Sequence, residues 1–200
     1  MLSEDNKMIH PEYIVAWMNF VRDYPENKRF LECFWESQIK SKHIMIEHIK
    51  NYNPKNIAIF GGWYGIFAQL IECNITSVEK IITVDIDPEC FNIFSKIDVG
   101  FKVKSLTACM SKFKQYEAID FVVNTSTEHV EQDIYNSWWE NIPEGITYAI
   151  QGNNFNNLDE HIRCADSIEH FLEINNVVNP LITKKIDCNG FDRYMAIGIK

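Results

Sequence analysis

Residues 56–71 read NIAIFGGWYGIFAQLI, and this stretch decides the fold. A short apolar run is followed by three glycines within five positions (Gly61, Gly62 and Gly65) and then by a longer apolar run. Short runs rich in β-branched residues are typical of buried strands, and a glycine-rich break before a longer run indicates a turn into a helix. The stretch therefore predicts a strand, a tight turn and a helix in direct succession.

An acidic residue stands at the end of the next predicted strand. The run IITVDIDP, residues 81–88, places Asp85 twenty positions after Gly65. Glycines let a ligand approach the backbone, a helix N-terminus offers free N–H groups, and an acid at this distance can accept hydrogen bonds from ribose hydroxyls. We predict a nucleotide-type site here, with Asp87 as the substitute acid. An alternative stays open, in which the glycines only form a turn and Asp85 caps the helix that Pro88 opens.

The chain outside this stretch predicts an α/β fold. Helical spacing of apolar residues runs through residues 11–49, and short apolar runs then alternate with amphipathic segments: NIAIF, IITVDI, FKVKSL, AIDFVVNT and ITYAIQG. Such runs are typical of parallel strands covered on both faces by crossover helices. LITKKIDC and DRYMAIGIK flank Asn189-Gly190, which indicates a hairpin. We expect one compact unit, with a helical extension at 1–53 and the α/β domain at 54–200.

Composition narrows the class of protein. The chain has 200 residues, 46% of them hydrophobic, and a net charge of −9, which disfavours a nucleic-acid partner but leaves a local basic groove open as an alternative. The six cysteines are scattered without a CxxC pair, which is typical of reduced thiols in a cytoplasmic protein. No apolar stretch approaches 18 residues, so neither a signal peptide nor a membrane span is predicted.

The glycine pattern fits neither a P-loop nor a dinucleotide fingerprint, since GxxxxGK[ST] and GxGxxG are both missing. Residues 56–200 resemble the class I S-adenosylmethionine-dependent methyltransferases, with no subfamily assigned. Gly61 and Gly65 match the outer glycines of the family motif, Asp85 matches its ribose acid, and the terminal hairpin matches its antiparallel seventh strand. The resemblance implies a Rossmann-like three-layer sandwich with a mostly parallel seven-stranded sheet, and S-adenosylmethionine as cofactor. The residues it implies for cofactor binding are Gly61, Gly62, Trp63, Tyr64, Gly65, Asp85, Ile86, Thr107 and Asn124.

Three positions depart from the family pattern. Ile59 stands where the family has its first acid, Trp63 replaces the middle glycine, and Leu106-Thr107-Ala108 stands where an acid often contacts adenine. The resemblance implies methyl transfer, and the acidic composition and the small set of polar residues at the strand ends favour a small-molecule acceptor. Two alternatives stay open: an enzyme that transfers the aminocarboxypropyl group or cleaves the same cofactor, and a non-catalytic binding module on the same fold.

The stretch VVNTSTEHV, residues 122–130, turns polar where the fourth predicted strand ends. Ligands of open α/β sheets lie at the carboxyl ends of the strands, so we predict that Asn124 orients the acceptor and that Glu128 or His129 removes its proton. The alternative is a capping box between Thr125 and Glu128. QGNN and His161 are candidates for the far wall of the acceptor pocket. No metal site is predicted, because the acids and histidine of residues 128–133 diverge in direction on a helix.

Overall fold

The computed structural model describes residues 9–100 and 102–200. The first eight residues of the predicted extension, and Phe101 of the predicted strand FKVKSL, lie outside the described residues. The helices are α1 (Pro11–Asp23), α2 (Lys28–Glu32), α3 (Glu36–Ile49), α4 (Ile66–Asn74), α5 (Pro88–Ile97), α6 (Gln132–Asn141) and α7 (Ile168–Ile174). The strands are β1 (Asn56–Phe60), β2 (Lys80–Asp85), β3 (Val103–Thr107), β4 (Phe121–Asn124), β5 (Thr147–Asn153), β6 (Ile182–Asp187) and β7 (Asp192–Ile199).

The strands form one seven-stranded sheet in the order β3-β2-β1-β4-β5-β7-β6. Strands β1 to β5 are parallel, whereas β7 pairs antiparallel with both β5 and β6. The predicted α/β class, the parallel sheet and the terminal hairpin are therefore confirmed. The strand order reverses between β1 and β4, and such a switch point is where open α/β sheets bind their ligands.

The side chains of β1 alternate between two apolar cores, one on each face of the sheet. Ile57 and Ile59 face the core that helices α1 to α5 cover, whereas Ala58 and Phe60 face the core formed by α6, α7 and the segment 110–119. Successive side chains of a strand point to opposite faces, so a central strand needs apolar residues at every position. The β1 run therefore lacks the polar alternation of a half-exposed strand.

The N-terminal helices pack on α4 through buried polar contacts as well as apolar ones. Tyr13 donates from its hydroxyl to Glu72 Oε2 at 2.5 Å, and Trp17 donates from Nε1 to Gln69 Oε1 at 2.7 Å. These helices thus share one core with the sheet, and the division between residues 53 and 54 stays a prediction. Within the described residues, no helix is both long and apolar enough to cross a membrane.

Candidate active site

The turn after β1 has a glycine-type backbone at three of its five residues. Gly61, Trp63 and Gly65 have φ values of +62°, +51° and +79°, in the left-handed region that favours glycine. At Gly62 the restriction is steric, because a Cβ there would lie 1.6 Å from Thr83 Oγ1. Trp63, which departs from the family motif in its side chain, therefore adopts the backbone conformation that a glycine would have.

Asp85 lies at the end of β2 and contacts this turn directly. Its Oδ2 accepts a hydrogen bond from the Trp63 backbone N–H at 2.9 Å, and its Oδ1 accepts one from the Asp87 N–H at 3.1 Å. Asp87 instead caps α5 by accepting from the Glu89 N–H at 2.9 Å, and it pairs with Arg29 at 3.0 Å. The helix cap is thus Asp87, and the Asp85 carboxylate remains directed at the glycine turn.

A cavity of about 530 Å³ opens at the carboxyl ends of the strands, beside the switch point between β1 and β4. Its lining combines the glycine turn, the end of β2, the segment after β3, the loop after β4 and the N-terminal helices. Residues that line it include Gly61, Gly62, Trp63, Tyr64, Asp85, Ile86, Ala108, Cys109, Met110, Glu128 and His129.

Six of the nine predicted cofactor contacts line this cavity: Gly61, Gly62, Trp63, Tyr64, Asp85 and Ile86. The other three lie outside the lining. Gly65 is packed against Phe94, which a Cβ would approach to 2.6 Å. Thr107 is exposed, and the three residues after it line the cavity instead.

Asn124 is fully buried and is also outside the lining. Its Oδ1 accepts a hydrogen bond from the Ser126 N–H at 3.0 Å, and its amide nitrogen lies 3.9 Å from Met110 Sδ. Asn124 follows the alternation of β4, so it points to the same face as Val122 and not out of the strand end. The predicted catalytic role of Asn124 has no support from this geometry, which gives the side chain a structural role.

Glu128 is turned into the protein, with 2% of its surface exposed. Its Oε1 accepts a hydrogen bond from Asn153 Nδ2 and lies 3.8 Å from the Arg193 guanidinium. Its Oε2 is buried and has no hydrogen-bond partner among residues 9–100 and 102–200. The alternative capping box is not formed, because residues 127–129 make a short 3₁₀ turn without a side-chain cap and α6 begins only at Gln132.

His129 and His161 meet at the edge of the cavity. Their ring centroids lie 4.6 Å apart in an edge-on arrangement. His129 is exposed and His161 is half-buried, and both line the cavity next to Glu128. His161, a candidate for the far wall, lines the cavity. Asn153, another candidate, lies outside the lining and contacts Glu128, which lines the cavity.

The N-terminal helices supply cavity residues that the sequence interpretation missed, namely Arg29, Glu32, Cys33, Trp35, Gln38 and Lys42. Lys42 is only 6% exposed, and its ammonium donates to Gln38 Oε1 at 2.8 Å. Burial lowers the pKa of Lys42 to about 8. The available signal was helical spacing, which places Lys42 on the same face as the apolar residues Met45, Ile46 and Ile49.

Arg163 holds the loop that carries Glu128 and His129. Its Nε donates to the carbonyl oxygens of Thr127 at 3.2 Å and Val130 at 3.1 Å, and its guanidinium lies 4.1 Å from the centre of the Tyr135 ring. The Arg163 backbone N–H also donates to the Glu128 carbonyl oxygen at 3.0 Å. One buried arginine therefore sets the position of the polar loop, although no motif in the sequence indicated it.

Comparison with known proteins identifies the fold. No protein-family model matches the chain, and no relative was found among curated proteins. Solved structures do match. The N-methyltransferase NodS from Bradyrhizobium japonicum WM9 in complex with S-adenosyl-l-homocysteine has a TM-score of 0.63 and 12% identity, over 92% of this chain and 98% of that one.

Two further structures match at a similar level. Human N-acetylserotonin methyltransferase in complex with SAM has a TM-score of 0.60 and 13% identity, over 92% of this chain and 59% of that one. The small RNA methyltransferase HEN1 has a TM-score of 0.63 and 16% identity, over 80% of this chain and 25% of that one. The resemblance to class I methyltransferases is confirmed at the level of the fold, and these neighbours act on acceptors of different kinds.

Proposed function

From this methyltransferase fold, we propose that the protein is an S-adenosylmethionine-dependent methyltransferase acting on a small-molecule acceptor. One observation carries the proposal: the Asp85 carboxylate and the turn of residues 61–65 contact each other in a cavity at the switch point of the sheet. Structural neighbours with this fold have been solved with SAM or S-adenosylhomocysteine.

The residues of the cavity fit such a cofactor. A volume of about 530 Å³ lies within the range of ligand pockets. Each oxygen of Asp85 accepts one backbone hydrogen bond, and the carboxylate keeps acceptor capacity for a ribose hydroxyl. Ile86 and the segment 108–110 line the cavity beyond Asp85 and offer apolar surface for an adenine ring. The methionine end then lies against Gly61 and Gly62.

The bound cofactor supplies a methyl carbon that its sulfonium charge already activates. The protein then has to orient the acceptor toward that carbon, exclude water and accept or release one proton, so that positioning provides most of the rate. Glu128 and His129 line the cavity after β4, and we assign them to the reacting group of the acceptor. Arg163 holds their loop in place and acts as a positioning residue.

The position of α2 and α3 at the cavity favours a small acceptor. Trp35, Gln38 and Lys42 of the α2–α3 region line the same cavity as the strand ends, and we infer that they reduce the opening that a large polymer would need. The net charge of −9 also disfavours a polyanionic acceptor.

Calorimetric titration tests cofactor binding. We expect wild-type protein to bind S-adenosylmethionine and S-adenosylhomocysteine but not NAD, and Asp85→Asn to bind both at least tenfold more weakly, because it loses charge-assisted hydrogen bonds worth about 1.5 kcal/mol or more. Asp87→Asn is the matched control, since asparagine also caps helices and the Asp87 carboxylate is engaged by the Glu89 N–H and Arg29. Thermal unfolding of each variant checks that the turn is intact.

The outcomes separate the alternatives. Wild-type protein that binds neither adenosyl compound would contradict the proposal and favour a non-catalytic module with another ligand. Binding that Asp87→Asn weakens as much as Asp85→Asn does would contradict the assignment of Asp85. Given binding, product analysis decides the reaction: S-adenosylhomocysteine indicates methyl transfer, and 5′-methylthioadenosine indicates aminocarboxypropyl transfer or cleavage.

A further inference from the structure

We propose that Glu128, His129 and His161 bind a divalent transition-metal ion at the acceptor end of the cavity. One ligand atom from each of the three side chains lies within 4.8 Å of the others. His161 lies 32 positions after His129 along the chain, so the sequence prediction, which grouped His129 with the acids of residues 128–133, did not combine the two. The fold brings the second histidine to the polar loop.

The hydrogen bonds of both imidazoles leave one nitrogen free for a metal. His129 Nδ1 lies 3.1 Å from the Glu160 carbonyl oxygen, and His161 Nδ1 lies 2.6 Å from the Phe155 carbonyl oxygen. A carbonyl oxygen only accepts, so each ring holds its proton on Nδ1 and carries a lone pair on Nε2. Metal-binding histidines in proteins commonly donate their other N–H to a backbone carbonyl in this way.

The Glu128 carboxylate supplies the negative charge of the site. Oε1 is engaged by Asn153 and faces Arg193, whereas the buried Oε2 has no hydrogen-bond partner among residues 9–100 and 102–200. Leaving a buried carboxylate oxygen unpaired is costly, and a bound cation would compensate for that cost. Glu128 therefore brings to the cluster a carboxylate with one acceptor atom that no described residue uses.

The ligand set selects the class of metal. Two imidazoles and one carboxylate suit Zn²⁺, Mn²⁺ or Fe²⁺, whereas Mg²⁺ prefers oxygen ligands and retained waters. Ligands of a tetrahedral ion lie roughly 3.4 Å apart at bond lengths of about 2.1 Å. His129 is exposed and His161 is half-buried, so both rings have room to close the remaining distance. Three protein ligands leave a coordination position open.

The proposed metal deepens the proposed function, on which its role in the reaction rests. An open position at the cavity would bind an oxygen acceptor such as a hydroxyl group, whose pKa a metal ion lowers. The hydroxyl proton leaves to water, the oxygen electron pair forms the bond to the methyl carbon, and the carbon–sulfur bond breaks with its pair remaining on sulfur. His129 then serves as a ligand, and the proton needs no side-chain base.

Metal titration of chelator-treated protein tests the site without any cofactor. We expect Co²⁺ to give a visible absorption band, and calorimetry to show Zn²⁺ and Mn²⁺ binding at one site much more tightly than Mg²⁺. His129→Ala and His161→Ala should each weaken binding at least tenfold. His43→Ala is the matched control, because His43 is exposed on α3 and does not line the cavity.

Two results would overturn the proposed site: no binding of Co²⁺, Zn²⁺ or Mn²⁺ by the wild type, or equal binding by wild type and His161→Ala. Glu128→Gln adds a further check, and if it fails to fold, the two histidine variants decide the matter. S-adenosylhomocysteine titration of the same variants distinguishes the proposed metal site from the proposed methyltransferase function. Metal binding without cofactor binding would sustain the metal site and contradict the methyltransferase assignment.

Discussion

Lys42 shows most clearly how a single side chain acquires properties from its place in the fold. Its ammonium is buried on the inner face of α3 and donates a hydrogen bond to the Gln38 amide oxygen. Burial lowers its pKa to about 8, an effect that nearby Arg193 strengthens and Glu128 opposes. The charged form of Lys42 therefore opposes folding at neutral pH.

We predict that Lys42→Met is more stable than the wild type at pH 7, by about 2 kcal/mol, because an isosteric apolar side chain carries no desolvation cost. At pH 7 Lys42 is protonated in both the folded and the unfolded chain, so the full cost is present. Between pH 8 and about 10.5 the folded protein releases the proton first, so wild-type stability rises with pH relative to the variant. Urea unfolding of both proteins at pH 7 and pH 10 measures the gap.

A gap that stays constant from pH 7 to pH 10 would show that Lys42 keeps an ordinary pKa in the folded protein. Lys40→Met serves as the control, since Lys40 is exposed on the same helix. Its substitution should leave the pH dependence of stability unchanged.

Single residues also mark the limit of what sequence alone predicts about the site. Asp85 was predictable, because the chain distance from a glycine turn to the next strand end is set by the βαβ unit. The positions of the Asn124 and Thr107 side chains were less predictable, because a shift of one residue at a strand end moves a side chain to the opposite face. Trp63 departs from the motif, yet its backbone conformation matches a glycine's.

Among the structural elements, the strands were the most predictable. The runs NIAIF, IITVDI and ITYAIQG coincide with β1, β2 and β5 within one or two residues, because strands covered on both faces need continuous apolar sequence. The docking of α2 and α3 over the cavity was not predictable. Their amphipathic pattern shows that a face is buried, but it does not show against which part of the sheet.

The loop after β4 depends on Arg163, which follows it by more than thirty residues along the chain. We predict that Arg163→Met lowers the free energy of unfolding by about 3 kcal/mol, because the guanidinium hydrogen bonds to the carbonyl oxygens of residues 127, 130 and 174 are lost together. Arg163→Lys should recover only part of this loss, since lysine cannot reproduce the planar set of donors. Urea unfolding gives the free energies.

Arg22→Met is the matched control for Arg163, because Arg22 pairs with Asp23 at the surface. We expect no measurable change in its stability. If Arg163→Met unfolded at the same urea concentration as this control, the loop would not depend on the arginine.

At the scale of the whole molecule, the N-terminal helices and one face of the sheet form a single core. We predict one cooperative unfolding transition, in which tryptophan fluorescence and far-ultraviolet circular dichroism coincide along the urea axis. Trp17 and Trp35 report on the N-terminal helices, and Trp138 and Trp139 report on α6. An early fluorescence change that Trp17→Phe abolishes would instead show helices that melt before the sheet.

The order of the strands leaves β3 and β6 as the two edges of the sheet. A free strand edge is a template onto which another chain can add by backbone pairing. β6 carries two adjacent exposed lysines, Lys184 and Lys185, and β3 carries the exposed Lys104. Two copies that met edge to edge at β6 would bring these ammonium groups together, so we expect the lysines that border the sheet to disfavour fibrous self-association.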